Sequence, residues 1–274
     1  MFSVVARRRL LALLASLMML LGATHVVAAQ LPFPREQMRE LIVAARRANG
    51  VGLLAWNEAL AEAAQRHAEE IASREEPSHL GSDGSTPQER AARVGYGAYP
   101  DGVRVSENWS TGSAMEAMAF FLEDQVHRDN LLSPVWREVG VGRAEQPGGQ
   151  ELWVVLFGAQ PGVLPVFINQ DAARTTDSLV TVQLSAEEAG YSEELFTDPV
   201  EVRVAEAEQL AEAPWQPWQP EVTVELSSGG GEKSVVVEYR DAQGHTVQAS
   251  DSIFLIQPDG PLPTPRAQFA PTLT

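Results

Sequence analysis

The chain has 274 residues, no cysteine and a formal net charge of −17, a length that suits one large or two modest domains. Its 44% hydrophobic content is enough for packed cores, which excludes wholesale disorder. The acidity argues against a nucleic-acid coat or electrostatic docking on anionic lipid, and the missing cysteines exclude a disulfide scaffold, a thiol nucleophile and Cys-ligated metal sites.

The charge is uneven. Residues 1–29 hold no acid and three arginines (net +3), residues 30–162 are net −7, and residues 163–274 are net −13. Arg7 to Arg9 form a positive n-region, Leu10 to Val27 is apolar, and Val27-Ala28-Ala29 supplies the small residues before a cleavage site. Residues 1–29 therefore read as a signal peptide, removed before Gln30, with a permanent anchor as the alternative. The apolar run is barely long enough to span a bilayer. No later apolar run reaches that length, so the mature protein is expected to be secreted with no transmembrane segment. The export route, general or twin-arginine, is left open by a bare arginine cluster.

The next 130 or so residues mix helices with short strands. Met38, Leu41, Ile42 and Ala45 recur at helical spacing ahead of Gly50. Asn57 is placed to cap a second helix running to about Arg74, with the stripe Leu60, Ala63, Ala64, His67, Ala68 and Ile71. Thr86-Pro87-Gln88-Glu89 and Ser113-Ala114-Met115-Glu116 are capping boxes. The first opens a short helix ending near Gly95, the second a helix to about Val126. Val139 to Gly142 and Leu152 to Phe157 read as strands. This alternation predicts a three-layer α-β-α domain over residues 30–162, with too few strands for a doubly wound parallel sheet.

The mature chain has four histidines. His67, on the apolar stripe of its helix, reads as a hydrogen-bonded core residue. His79 stands at the lip of the Gly81-Ser82-Asp83-Gly84 loop, and His127 closes the helix begun at Ser113. Glu107 follows a loop and precedes Asn108 and Trp109. Two imidazoles with one or two carboxylates are ligand types for a divalent metal, but separations of 28 and 20 residues are not a local signature. No cysteine is present, and Ser82, Ser85 and Ser106 have no spacing that identifies a base–nucleophile pair.

The order of short motifs is more telling. It runs Leu53-Leu54-Ala55-Trp56-Asn57-Glu58-Ala59-Leu60, Ser78-His79-Leu80-Gly81-Ser82-Asp83-Gly84-Ser85-Thr86-Pro87, Gly95-Tyr96, and Ser106-Glu107-Asn108. It continues through His127-Arg128-Asp129-Asn130-Leu131-Leu132 and Glu138-Val139-Gly140-Val141-Gly142 to Trp153-Val154-Val155-Leu156-Phe157-Gly158. Over about residues 36–160 this resembles the bacterial branch of the CAP superfamily (cysteine-rich secretory, antigen 5 and pathogenesis-related 1 proteins), also called SCP domains. The resemblance implies an α-β-α sandwich whose cleft holds two histidines and two acids. His79, Glu107 and His127 match three of these. Glu123 or Asp124 falls where the second acid is expected, and Asp124 fits the offset better. Phe121 replaces the family's usual tryptophan. Ser106 replaces its glycine, which would strain or reshape the loop if that glycine had a positive φ. The implied cofactor is zinc or another divalent cation on His79, Glu107, Asp124 and His127. The implied alternatives are a lipid or sterol-like ligand in a hydrophobic cleft, or hydrolysis of a peptide or lipid ester.

Residues 163–257 read as short strands between turn signals: Val163 to Asn169, Ser178 to Ser185, Val200 to Val204, Val222 to Leu226, Ser234 to Arg240 and Ser252 to Ile256. Gly229 to Gly231 and Asp241 to His245 are turns, with Gly244 at a φ > 0 position and His245 a turn residue rather than a ligand. The set resembles the Ig-like or fibronectin-like repeats of bacterial surface proteins, implying an all-β sandwich that could bind a cell-surface glycan or protein. One or both of Trp215 and Trp218, beside Pro217 and Pro220, are expected to plug the sandwich core, or else to stack on a sugar or Pro-rich peptide. The acids of Glu187 to Glu212 read as a solvated face. Residues 258–274 read as a disordered tail. The whole is thus an α+β chain: a CAP-type α-β-α sandwich followed by a smaller all-β Ig-like sandwich. It is expected to be a secreted binding protein with no nucleic-acid partner and an unsettled enzymatic role, the alternative being a secreted hydrolase using the His/Glu cleft.

Overall fold

The computed structural model describes residues 34–97, 102–186 and 198–257. The segments read as signal peptide (1–29) and tail (258–274), and part of the acidic stretch (187–197), lie outside the described residues. No described helix is long and apolar enough to cross a membrane.

Helices α1 (Pro34–Ala48), α2 (Glu58–Ala72) and α3 (Pro87–Arg93) precede the first long strand, with the two-residue β1 (Ala55–Trp56) between α1 and α2. Then come β2 (Arg104–Thr111), α4 (Ala114–Glu123), α5 (Gln125–Leu131), β3 (Glu138–Glu145) and β4 (Glu151–Ala159). The strands form one sheet in the order β1-β3-β4-β2, antiparallel except for β1 beside β3. Met38 and Ile42 of α1, with Ala117 and Phe121 of α4, pack with Val139, Val141, Trp153, Val155 and Phe157. Leu60, Ala64, Ala68 and Ile71 of α2, with Ala91 of α3, pack with Leu152, Val154 and Leu156. Alternation along β4 sends successive residues to opposite helical layers, which is the α-β-α layering read from the sequence.

The caps form as the sequence indicates. Asn57 accepts a hydrogen bond from Leu60 N at 3.1 Å, and both capping boxes close, at Thr86 with Glu89 and at Ser113 with Glu116. Close approach of α2 to β3 needs glycine. A Cβ on Gly140 would stand 2.1 Å from Ala61 N, and one on Gly142 would stand 2.3 Å from the Ala64 main chain. Beneath α2, the Glu138 carboxyl is buried and accepts from Asn57 Nδ2 at 2.7 Å, Tyr96 Oη at 2.7 Å and Gln160 Nε2 at 3.2 Å. Burial raises its pKa, and these donors pull it back.

Two local expectations change. The helix opened at Ser113 stops at Glu123, because Asp124 turns extended (φ −75°, ψ 126°) and caps a separate helix, α5. His127 therefore sits in the first turn of α5 instead of closing the helix before it. Glu107 lies inside a strand, not after a loop. The polar run Ser106-Glu107-Asn108-Trp109-Ser110-Thr111 hides β2 because it lacks an apolar alternation, and β2 is the sheet's edge.

From residue 166 onward the described chain is strands and one 3-10 turn. Three strands form one sheet in the order β10 (Glu221–Glu225), β7 (Leu179–Leu184), β5 (Val166–Ile168). Five form another: β6 (Arg174–Thr175), β12 (Thr246–Leu255), β11 (Gly231–Asp241), β8 (Pro199–Glu206) and β9 (Gln216–Pro217). Val180, Val182, Val202, Val235, Val237, Tyr239 and Ile253 share one buried cluster drawn from both sheets. The two tryptophans part company. Trp218 packs against this cluster and donates to Ser185 O at 3.3 Å, whereas Trp215 lies over the guanidiniums of Arg240 (4.0 Å) and Arg203 (5.0 Å). Gly244 takes φ 90° in the hairpin, and the His245 ring bonds Asp241 Oδ2 at 3.0 Å.

Candidate functional site

Glu107 is the centre of the first cluster. Its side chain is 1% exposed, beneath a His79 ring that is 49% exposed. Oε1 accepts from His79 Nδ1 at 2.8 Å, and Oε2 accepts from Arg90 Nη2 at 2.6 Å. Arg90 Nη1 reaches the main-chain carbonyls of His79 at 3.0 Å and Ser85 at 2.8 Å. Below lies His67, fully buried as the stripe indicated, its Nε2 3.1 Å from Ser78 O and 3.7 Å from Glu107 Oε1. Burial lowers the His67 pKa, opposed by the nearby Glu107 charge. Trp109, two residues along β2 and so on the same face as Glu107, meets the His79 ring edge-on at 6.1 Å.

The loop carrying His79 is tied to α2 through Glu70. One oxygen of Glu70 accepts from Ser82 N at 2.5 Å and pairs with Arg74, while the other is 3.3 Å from His67 Nδ1. Burial works to raise the Glu70 pKa, but hydrogen bonds from Ser82, His67 and Arg74 prevail and lower it to about 2.

The second cluster surrounds His127. Asp124 Oδ1 accepts from His127 N at 3.1 Å and from the ring Nδ1 at 2.7 Å, so one carboxylate caps the helix and orients the imidazole. The bond to the His127 ring is the main cause holding Asp124 below its ordinary pKa. Asn108, next to Glu107 on β2, donates to His127 O at 2.9 Å. Phe121 stacks on the His127 ring (5.8 Å, 15°), and Phe120 packs against it at 4.9 Å. Adjacent residues of the edge strand thus hold the ring of one histidine and the main chain of the other.

The four residues singled out from the sequence, His79, Glu107, Asp124 and His127, stand as two imidazole–carboxylate pairs. Between the two candidate second acids, Asp124 is the one bound to His127; Glu123 ends α4. Among the described residues no three His, Asp or Glu side chains are grouped to hold a metal ion. Each carboxylate is turned onto its own imidazole, Glu107 onto His79 Nδ1 and Asp124 onto His127 Nδ1. Ser106 lies in β2, and the non-glycine residues of positive φ among those described are Asn169, Gln170 and Asp171, so the serine is accommodated without left-handed strain. No described histidine ring is hydrogen-bonded to a serine or threonine hydroxyl. Sequence reasoning missed Arg90, whose only signal was a basic residue in a short helix between two motifs.

No curated protein matches the chain. Among solved structures, an outer surface protein from Borrelia burgdorferi is 19% identical, with a TM-score of 0.41 over 46% of this chain and 91% of that one. An extracellular SCP-domain protein from Bacillus anthracis is 23% identical (TM-score 0.40, 45% of this chain, 39% of that one). A cysteine-rich secretory protein from Staphylococcus aureus is 18% identical (TM-score 0.36, 47% of this chain, 40% of that one). This chain thus spans about two fifths of the Bacillus and Staphylococcus proteins. Residues 39–157 match the CAP family, described as the Cysteine-rich secretory protein family, and that segment is a CAP domain.

Proposed function

We propose that the chain is a secreted binding protein whose ligand seat is the pair of imidazoles flanking β2, taking a divalent cation such as zinc through the two Nε2 atoms. The observation that carries this is the fastening of each Nδ1 to a carboxylate, His79 to Glu107 at 2.8 Å and His127 to Asp124 at 2.7 Å. Proteins orient metal-binding imidazoles in this way, with the carboxylate behind the ligand. Two protein ligands leave the remaining positions to water or to oxygen atoms of a bound molecule. When bound, the cation supplies Lewis acidity; the chain's own part is to hold both rings in one tautomer.

Isothermal titration of the mature protein with zinc tests this. A single site is expected, weakened at least about 10–100-fold by either His79→Ala or His127→Ala, the range seen for loss of even an outer-shell partner. A wild-type protein with no titratable site ends the metal reading. Sites lost one at a time, independently, would mean that the imidazoles do not share an ion.

A second reading is favoured by exposed apolar side chains: Phe120, packed against the His127 ring, and Leu80 and Val126, each next to one of the histidines in sequence. They suit the body of a lipid or sterol-like molecule, and lipid recovered by mass spectrometry from purified protein would select it. Peptide or lipid-ester turnover abolished by His79→Ala would select a hydrolase instead. Residues 163–257 we take as an Ig-like module following the 30–162 domain, serving to attach the protein to a cell-surface glycan or protein. The two sheets sharing one apolar cluster support that reading.

A further inference from the structure

We infer that Arg90 is a positioning residue that fixes the tautomer of His79, making Nε2 the atom that faces a ligand. The inference rests on His79 belonging to the seat proposed above. The buried Arg90 fork reaches three acceptors. Nη2 holds Glu107 Oε2 at 2.6 Å, while Nη1 holds His79 O at 3.0 Å and Ser85 O at 2.8 Å. One side chain from α3 therefore grips both handles of His79: its main chain directly, and its ring through Glu107. A guanidinium reaches all three acceptors because its donors are rigidly forked, while the tautomer itself depends on its charge beside Glu107.

The consequence follows from donor and acceptor types. With its other oxygen on the guanidinium, Glu107 offers Oε1 only as an acceptor, 2.8 Å from His79 Nδ1. That nitrogen must carry the ring proton, which leaves the lone pair on Nε2. The carboxylate lies under the ring at 1% exposure, and the ring is half open to solvent, so a ligand arrives from the side away from Glu107. His67 buttresses the arrangement by bonding Ser78 O, the carbonyl just before His79. Without Arg90 no other group among the described residues holds Glu107 Oε2, so the carboxylate can turn off the ring and the imidazole then exchanges between tautomers.

The test is long-range proton–nitrogen NMR of the imidazole rings in the full mature chain at about pH 8, above the ordinary imidazole range. Wild-type His79 is expected as a single Nδ1–H tautomer, Arg90→Gln as a mixture, and Arg90→Lys as largely wild type, because the charge beside Glu107 is kept. A wild-type Nε2–H tautomer overturns the inference, as does an Arg90→Gln spectrum identical to wild type. A Lys variant as perturbed as the Gln variant also overturns it, by reducing Arg90 to a main-chain brace. If the Gln variant does not fold, the wild-type and Lys spectra still decide. Zinc titration of the same proteins separates the two readings. A tautomer shift with no zinc binding in any variant upholds Arg90's role and ends the metal proposal. Zinc binding with an unmoved tautomer does the reverse. Where both hold, Arg90→Gln weakens zinc about 10–100-fold.

Discussion

Glu70 of α2 and Glu138 of β3 show how differently two carboxyls are used. Glu70 is held well below its unfolded value of 4.5, at about 2, by the donors that anchor the His79 loop. Its contribution to stability is therefore complete above pH 4.5 and lost as the pH falls through about 2. Urea unfolding followed from pH 5 to pH 2 should show wild type losing stability faster than Glu70→Gln; parallel curves would show that the loop anchor has no energetic weight. Glu138 has the opposite sign. Burial raises its folded-state pKa, so its contribution is fullest below 4.5 and declines as the pH rises through the raised value. The three donors around it offset that decline, which is why a buried acid can be kept beneath α2.

At the scale of elements, the decisive contact is α2 against β3. Leu60, Ala61, Ala63, Ala64, Ala68 and Ile71 are all buried, and the small residues let the helix sit directly on the strand. Burial of a side chain such as Leu60 contributes about 1.5–3 kcal/mol, but only if the glycines of β3 stay bare. Gly140→Ala would drive a Cβ into the Ala61 main chain, which cannot rotate away as a side chain could. A loss of about 3 kcal/mol is expected, lowering Tm by roughly 2–4 °C per kcal/mol. Gly84→Ala is the control. It has open space but φ 80°, so it should cost only about 1–2 kcal/mol. Thermal unfolding that ranks the two the other way would sink this account of how α2 docks.

At the scale of the molecule, the described residues fall in one compact unit. Part of the join is a turn in which Asn169, Gln170 and Asp171 all have positive φ (48°, 60° and 65°). Such residues resist this conformation, asparagine and aspartate least. Asn169 secures the turn to β7 by exchanging bonds with Thr181 at 2.7 and 2.9 Å. From α1, Arg39 pairs with the buried Asp171 carboxylate and Arg47 donates to Gln170 O, while Arg137 reaches Ala186 O at 3.2 Å. Removing Arg39 takes a cation from a nearly buried pair, a loss on the order of 3 kcal/mol. Calorimetry should show one unfolding transition in wild type and a split or broadened one in Arg39→Ala. An unsplit transition at the wild-type Tm would show that the turn does not couple α1 to the strands beyond it.

Local signals were enough for much of this fold. Asn57, Thr86 and Ser113 cap helices because a side-chain oxygen and a free N–H lie a few residues apart, a fact of spacing alone. The apolar stripes of α1 and α2 and the runs of β4 and β11 were legible for the same reason, and so was the ordered motif set that marks residues 39–157 as CAP. Edge strand β2 was not, because its residues are polar and its pairing partner, β4, is some fifty residues away. Nor was the break at Asp124, where one residue both ends a helix and starts the next. The site divides the same way. His79, Glu107, Asp124 and His127 could be named from sequence, but not that they stand as two pairs, nor that Arg90 anchors one of them. Residue type and near spacing are properties of the chain. Which acceptor a buried guanidinium reaches is decided by how α3 packs against β2, and only the tertiary structure settles that.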